Sequence, residues 1–97
     1  MIELRKLRGK LILISGSNAI NDLLVLYPEL FPYKSVEQIY MEFPQDCEFS
    51  LTSPDNVDTD YRPLAANTKF NMSSISVTNV KIKSANSQLG YIYTAGI

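Results

Sequence analysis

The side chains that most often carry out catalysis are scarce in this sequence of 97 residues. It contains no histidine and a single cysteine, Cys47. These counts argue against a histidine general base, a Cys/His zinc site and an internal disulfide. No lysine stands in a Ser-x-x-Lys arrangement, and no GxGxxG or GxxxxGK[ST] phosphate loop occurs. We therefore predict a protein that is not an enzyme, with no catalytic residues, no cofactor and no bound metal.

The one long polar segment, from Thr52 to Arg62, is the part of the chain that most resembles a metal site. It carries three aspartates within six positions, and hard cations prefer carboxylate oxygens. The segment lacks the glycine and the closing glutamate of an EF-hand loop, so we expect a solvated surface loop. Long loops in compact domains are often functional. Its candidate interface residues are Asp55, Asp58, Asp60, Tyr61 and Arg62.

The N-terminal segment alternates apolar and basic side chains. The apolar run that follows it, Leu11 to Ile14, is too short for a signal peptide or a membrane helix. We therefore expect a soluble protein with no membrane partner. Residues 1–9 form a candidate docking arm, which either adds to a neighbour's sheet edge or is the domain's own first strand. Its candidate interface residues are Ile2, Leu4, Arg5, Leu7 and Arg8.

Charge is distributed in blocks although the net charge is only -1. Residues 1–10 carry +3, residues 11–60 carry -8 and residues 61–97 carry +4. The small net charge argues against a nucleic-acid partner. The blocks either meet as surface ion pairs in the folded domain or form two charged poles that orient it on a partner.

The first third of the chain predicts one strand and one short helix. Lys10 to Ser15 has apolar residues on both parities, which is typical of a central strand buried on both faces. Residues 18–27 place apolar side chains at helical spacing, and Pro28 ends that helix. A strand through residues 23–26 is the alternative.

From Ser35 onward the apolar period is two, which predicts β-strands. Ile39 and Phe43, then Cys47 and Leu51, suggest a hairpin turning at residues 44–46, with Cys47 on the apolar side. Further alternating segments follow Pro63, and a kink is expected near Thr78. Lys81 and Lys83 are expected to point outward from one strand and to discourage pairing at a sheet edge. Six tyrosines are too many to bury entirely, so several are expected at a surface. The predicted fold is one mainly β domain over residues 1–97, an antiparallel β-sandwich or partly closed barrel with one short helix near residues 18–27.

The C-terminal third resembles the closing strands of small tailed-phage virion proteins. The resemblance covers about 35 residues and rests on turn chemistry and alternation. Asn67 stands where glycine is more usual, and asparagine also tolerates left-handed geometry. The segments that carry it are Arg62-Pro63-Leu64-Ala65-Ala66-Asn67-Thr68-Lys69-Phe70, Ile75-Ser76-Val77, Val80-Lys81-Ile82-Lys83-Ser84 and Gly90-Tyr91-Ile92-Tyr93-Thr94-Ala95.

This resemblance implies a virion structural protein, with the capsid decoration or cement type as the first choice. Such a protein is made in the bacterial cytoplasm, self-associates in a symmetric assembly, and binds the major capsid protein or other virion proteins. A tail, neck or head-fibre component is the first alternative, and a small inhibitor or adaptor that binds a host protein is the second. A carbohydrate- or metal-binding β-module that uses surface tyrosines is the third.

Overall fold

The computed structural model describes residues 6–97, with side chains from Arg8 onward, as two four-stranded sheets packed face to face. All strand pairs are antiparallel. The first sheet has the order β1 (Lys6–Ile14), β8 (Gln88–Gly96), β3 (Val36–Glu42) and β6 (Phe70–Val77). The second has the order β2 (Asn21–Asp22), β7 (Asn79–Lys83), β4 (Cys47–Thr52) and β5 (Arg62–Leu64). Helix α1 (Leu23–Leu26) and a 3-10 turn (Pro28–Leu30) follow β2. The predicted mainly β fold is confirmed, and of the two predicted architectures the sandwich is observed.

The core lies between the two sheets, because each strand directs alternate side chains toward the facing sheet. Its fully buried members include Ile12, Ile14, Ile39, Met41, Val80, Ile82 and Ile92. Thr94 of β8 is also buried, and its hydroxyl donates a hydrogen bond to the Leu30 carbonyl at 2.6 Å. This bond ties the 3-10 turn to the first sheet. The helical segments of residues 6–97, of four and three residues, are too short to cross a membrane.

The predicted hairpin between β3 and β4 is wrong, because these strands belong to different sheets. β3 pairs with β6 and β8, whereas β4 pairs with β5 and β7. The link between them, residues 43–46, carries the chain across the sandwich. Alternation identified the buried faces, since Ile39 and Cys47 are both buried. It did not identify the pairing partner, because strands of both sheets in a sandwich show the same alternation of inward apolar and outward side chains.

The prediction that the first strand is central and buried on both faces is also wrong. β1 lies at the edge of the first sheet and pairs only with β8 among the described strands. Ile12 and Ile14 face the core, whereas the side chains of Leu11 and Leu13 are 65% and 53% exposed. An edge strand with an apolar outer face has the same sequence pattern as a strand buried on both sides.

The helix predicted near residues 18–27 is present but covers only Leu23–Leu26. The two residues before it form β2 and pair with β7. Asp22 caps the helix by accepting a hydrogen bond from the Val25 N–H at 3.3 Å. Leu23 alone of the four helical residues is buried.

The C-terminal third follows the predicted turns. Asn67 has a φ of 59°, the left-handed geometry expected of this position. The kink expected near Thr78 is the point where the chain leaves the first sheet for the second. Lys81 and Lys83 do not guard an edge, because β7 lies between β2 and β4.

Candidate docking surface

Exposed apolar side chains concentrate on one side of the described domain. Ten large hydrophobic residues are exposed in this part of the chain, and all but Val57 and Ile97 lie on β1, on β8 or on the segment around β2 and α1. Those eight are Leu11, Leu13, Ile20, Leu24, Val25, Leu26, Leu89 and Tyr91. Single exposed apolar residues are ordinary, whereas contiguous exposed apolar patches are typical of interaction sites.

Three leucines on the outer face of the first sheet form what we call the leucine patch: Leu11, Leu13 and Leu89. Strand register places Leu13 directly opposite Leu89, and Leu11 directly opposite Tyr91. Side chains at such paired positions on one face contact each other. Because more than half of each leucine side chain is exposed, the patch is a continuous apolar surface.

The backbone edge of β1 next to this patch is closed at its C-terminal end by two side chains. The Tyr27 hydroxyl accepts a hydrogen bond from the Leu13 N–H at 2.9 Å and donates one to the Leu13 carbonyl at 3.1 Å. The Asn21 side chain accepts a hydrogen bond from the Ser15 N–H at 2.9 Å and donates one to the Ser15 carbonyl at 3.0 Å. These two side chains take the place of a neighbouring strand.

The edge is open upstream of Leu13. Backbone groups alternate in direction along a strand, so Gly9 and Leu11 direct their N–H and C=O groups the same way as Leu13. Within residues 6–97 neither residue has a hydrogen-bond partner on that side. We call the backbone from Gly9 to Leu11 the open edge, and it is a template to which another strand can pair.

The segment beside this part of β1 is Tyr27 and the 3-10 turn, which follow helix α1; Leu24, Val25 and Leu26 of that helix are exposed. Tyr27 connects this segment to β1 through its bonds to Leu13. The Lys10 ammonium lies 5.1 Å from the centroid of the Tyr27 ring and forms a 2.6 Å ion pair with Glu29. The hydrogen bond from Lys10 lowers the pKa of the Glu29 carboxyl, so the carboxylate stays ionised.

Only part of the predicted docking arm, residues 1–9, falls within the described residues. Ile2, Leu4 and Arg5 lie outside the described residues, as does the side chain of Leu7. Residues 6–9 belong to β1, where Leu7 is opposite Ala95. Of the two alternatives for residues 1–9, these four therefore form the domain's own first strand. Arg8 is exposed next to the open edge.

The acidic loop, residues 53–61, lies against the second sheet rather than beside the open edge. Asp58 accepts a 2.6 Å hydrogen bond from Thr52 and forms a 2.7 Å ion pair with Lys81. The hydrogen bond from Lys81, followed by that from Thr52, lowers the pKa of Asp58. The Lys83 ammonium lies 4.1 Å from the centroid of the Tyr61 ring. Both observed ion pairs join a basic block to the acidic block, as one of the two charge hypotheses predicts.

The remaining loop candidates do not converge on a cation site. Asp55 and Asp60 are exposed, and no three acidic, histidine or cysteine side chains of the described residues are close enough together to hold a metal ion. Asp60 and Arg62 instead line a cavity of about 420 Å³ with an apolar floor that includes Phe49 and Met72. This cavity lies at the edge of the sandwich formed by β5 and β6, so the loop candidates and the arm candidates occupy different edges.

Cys47 has the surroundings expected of a structural thiol. It is buried, as its position in the alternating pattern predicted. Burial, with smaller contributions from Asp46 and Glu48, raises its pKa to about 11. The thiol is therefore protonated near neutral pH and is a poor nucleophile.

Comparisons of the chain with protein-family models, with curated proteins and with solved structures find no match. The candidate site therefore depends on its own geometry. Sequence reasoning selected residues at the start of β1 as docking candidates, but it assigned Leu11 and Leu13 to the core and did not select Leu89. The signal that identifies this edge is long-range pairing, since the Tyr27 and Asn21 bonds to β1 have no signature in composition or periodicity.

Proposed function

We propose that this protein is a non-enzymatic docking module that binds another protein through the open edge of β1 and the leucine patch. The observation that carries the proposal is their juxtaposition: an unpaired strand edge lies directly beside three exposed leucines. A partner strand that pairs with Gly9 and Leu11 gains main-chain hydrogen bonds from the edge. Its side chains gain apolar burial against the patch.

The magnitude is adequate for specific binding. The exposed parts of the three leucines amount to roughly 300 Å², which at about 25 cal/mol per Å² represents about 7 kcal/mol before the costs of association. A standard interface buries about 800 Å² on each partner.

Charge disfavours a second copy at this edge. Pairing Gly9 of one copy with Gly9 or Leu11 of the other would bring Lys10 opposite Arg8 or Lys10 of the other copy. Like charges directly opposite each other destabilise a strand pair.

We further propose, from the resemblance of the C-terminal third, that the partner is a virion protein. Our preferred assignment is a capsid decoration protein that binds the major capsid protein in many copies. The sequence has no histidine and only one cysteine, and the leucine patch is exposed. Both features support a structural role over a catalytic one.

The assignment proposes that a tailed phage encodes the chain, and quantitative mass spectrometry of that phage's purified virions tests it. Hundreds of copies per particle are expected of a decoration protein, whereas about a dozen copies or fewer would assign it to the tail or neck. If the chain is missing from virions and is recovered with one host protein in equal amount, it is an inhibitor or adaptor instead.

Co-sedimentation of the purified chain with purified virions tests the surface. Leu11→Glu places a charge in the leucine patch and is expected to abolish sedimentation with the particles. Val57→Glu is the matched control, because Val57 is 63% exposed, like Leu11 at 65%, but lies in the acidic loop. Equal loss of binding in both variants, or in neither, would contradict docking through the patch.

A further inference from the structure

A second feature of the first sheet is a groove on its outer face, next to the leucine patch. The groove has a volume of about 280 Å³ and is lined by Gln38, Tyr40, Asn71, Tyr91 and Tyr93. Strand register places Tyr40 of β3 directly opposite both Tyr93 of β8 and Asn71 of β6. Tyr93, Tyr40 and Asn71 therefore form one row across three neighbouring strands.

The tyrosine rings are held in place by contacts within the sheet. The Tyr40 hydroxyl donates a 2.9 Å hydrogen bond to the Glu42 carboxylate. The centroids of the Tyr91 and Tyr93 rings are 6.4 Å apart, with 35° between the ring planes. Both rings lie over Gly9, where any Cβ would overlap the Tyr91 hydroxyl and come within 2.8 Å of the Tyr93 ring. The walls of the groove are thus largely ordered before a ligand arrives.

The polar groups of the groove are two unengaged amides. Neither the Gln38 nor the Asn71 side chain has a hydrogen-bond partner within residues 6–97. Each amide offers two N–H donors and one carbonyl acceptor. No lysine or arginine lines the groove, so it has no charge complementarity for phosphate or sulfate.

We infer that this groove binds a neutral sugar ring of a glycan. A pyranose has an apolar face of C–H groups, which packs on the electron-rich face of an aromatic ring, and a rim of hydroxyls that both donate and accept. The tyrosine rings can pack against the C–H face of the sugar, and the Gln38 and Asn71 amides can exchange hydrogen bonds with its hydroxyls. A proline-rich peptide, the other common occupant of aromatic grooves, offers carbonyl acceptors but few donors, so the amide oxygens would remain unpaired.

This inference is independent of the docking proposal. Strand addition at the open edge extends the sheet sideways, whereas the groove lies on its outer face over β8, β3 and β6. Tyr91 lies opposite Leu11 of the leucine patch, so sugar binding is tested on the chain without its docking partner. The groove volume of about 280 Å³ is just below that of pockets that enclose drug-sized ligands, so the groove has room for one or two sugar rings.

Titration of the ¹⁵N-labelled chain with lactose, cellotriose and chitotriose, followed by NMR, tests the inference. At least one of these sugars is expected to shift the amide resonances of β3 and β8 with a dissociation constant in the millimolar range. Tyr93→Ala removes one wall and is expected to weaken that binding by about tenfold, about 1.4 kcal/mol. Asn71→Ala, at an exposed position of β6, is expected to weaken it severalfold without changing the fold.

Tyr61→Ala is the matched control, because Tyr61 is a partly exposed tyrosine against the second sheet and is expected to leave sugar binding unchanged. The inference is overturned if none of the three sugars shifts these resonances up to its solubility limit. It is also overturned if Tyr61→Ala weakens binding as much as Tyr93→Ala does, or if a decaproline peptide shifts the groove resonances while the sugars do not. A null result here leaves co-sedimentation with virions unaffected, so the two proposals fail separately.

Discussion

Removing one oxygen atom, in Tyr27→Phe, tests how the edge of β1 is closed. The lost hydroxyl makes two hydrogen bonds, at 2.9 Å and 3.1 Å, both to the backbone of Leu13. A hydrogen bond contributes about 0.5–1.5 kcal/mol net, and water reaches Leu13 after the change, so we expect a total loss of about 1 kcal/mol. For a domain of this size that lowers Tm by about 4–8 °C.

Tyr27→Ala also removes the ring, which occupies the place of a partner strand next to Leu13, and this variant is expected to self-associate. Two copies of β1 can then pair about a twofold axis at Leu11, which places Lys10 opposite Ile12. In the wild type, the pairings that bond Gly9 to Gly9 or to Leu11 place Lys10 opposite Arg8 or Lys10 of the second copy. Tyr27 therefore blocks a register in which Lys10 avoids the basic residues of the second copy.

Differential scanning calorimetry and sedimentation velocity measure the two effects. Tyr33→Phe is the control: it also loses a tyrosine hydrogen bond, at 3.1 Å to the Thr94 carbonyl, but away from the open edge of β1. It is expected to lose stability without associating. A Tyr27→Phe protein that keeps the wild-type Tm, together with a Tyr27→Ala protein that sediments as the wild type does, would refute this account of the edge.

Three further predictions concern stability. Tyr61→Phe removes a buried hydroxyl that has no hydrogen-bond partner in the described part of the chain, so urea denaturation is expected to show a gain of about 1 kcal/mol; a loss would mean that the hydroxyl is satisfied. Gly90→Ala would place a methyl group in the ring of Phe43, which is 1% exposed, and is expected to cost about 3 kcal/mol or more by the same assay; a neutral result would mean that this ring moves aside easily. The pKa of Asp58 is lowered in the fold, so its contribution to stability is present above the unfolded pKa of about 4 and is lost as pH falls through the lower folded value. Asp58→Asn, which cannot ionise beside Lys81, is expected to flatten the acid limb of the plot of stability against pH, and an unchanged acid limb would count against the ion pair.

Local patterns in the sequence predicted the type of structure well. Two-residue alternation identified the inward faces of β3, β4 and β7, because burial on one face imposes that period. Asn67 was expected to allow left-handed geometry and has it, since this preference belongs to the residue itself. Burial of Cys47 followed from the same alternation.

Long-range pairing could not be predicted from those patterns. β3 and β4 have hairpin-like spacing but belong to opposite sheets, because period and parity do not encode the pairing partner. The run from Leu11 to Ile14 is apolar on both faces, but only Ile12 and Ile14 are buried. The sequence pattern does not show that Leu11 and Leu13 are exposed. Helix α1 is shorter than the apolar spacing indicated because pairing with β7 claims Asn21 and Asp22.

The candidate docking surface overlaps the residues selected from the sequence only in part. The arm candidates Leu7 and Arg8 lie on β1, whereas the loop candidates lie at a different edge of the sandwich. The closure of β1 by Tyr27 and Asn21 depends on contacts between residues 6 and 14 positions apart, and the leucine patch depends on the pairing of β1 with β8. These relations exist only in the folded chain.

Hydrogen–deuterium exchange of the chain, free and bound to purified virions, tests docking through the open edge most directly. The amides of Gly9 and Leu11 point away from β8 and are expected to exchange quickly in the free protein. Binding is expected to slow their exchange strongly while the amides of residues 53–57, in the acidic loop, are unchanged. Slower exchange in the loop with no change at Gly9 and Leu11 would contradict docking through the open edge of β1.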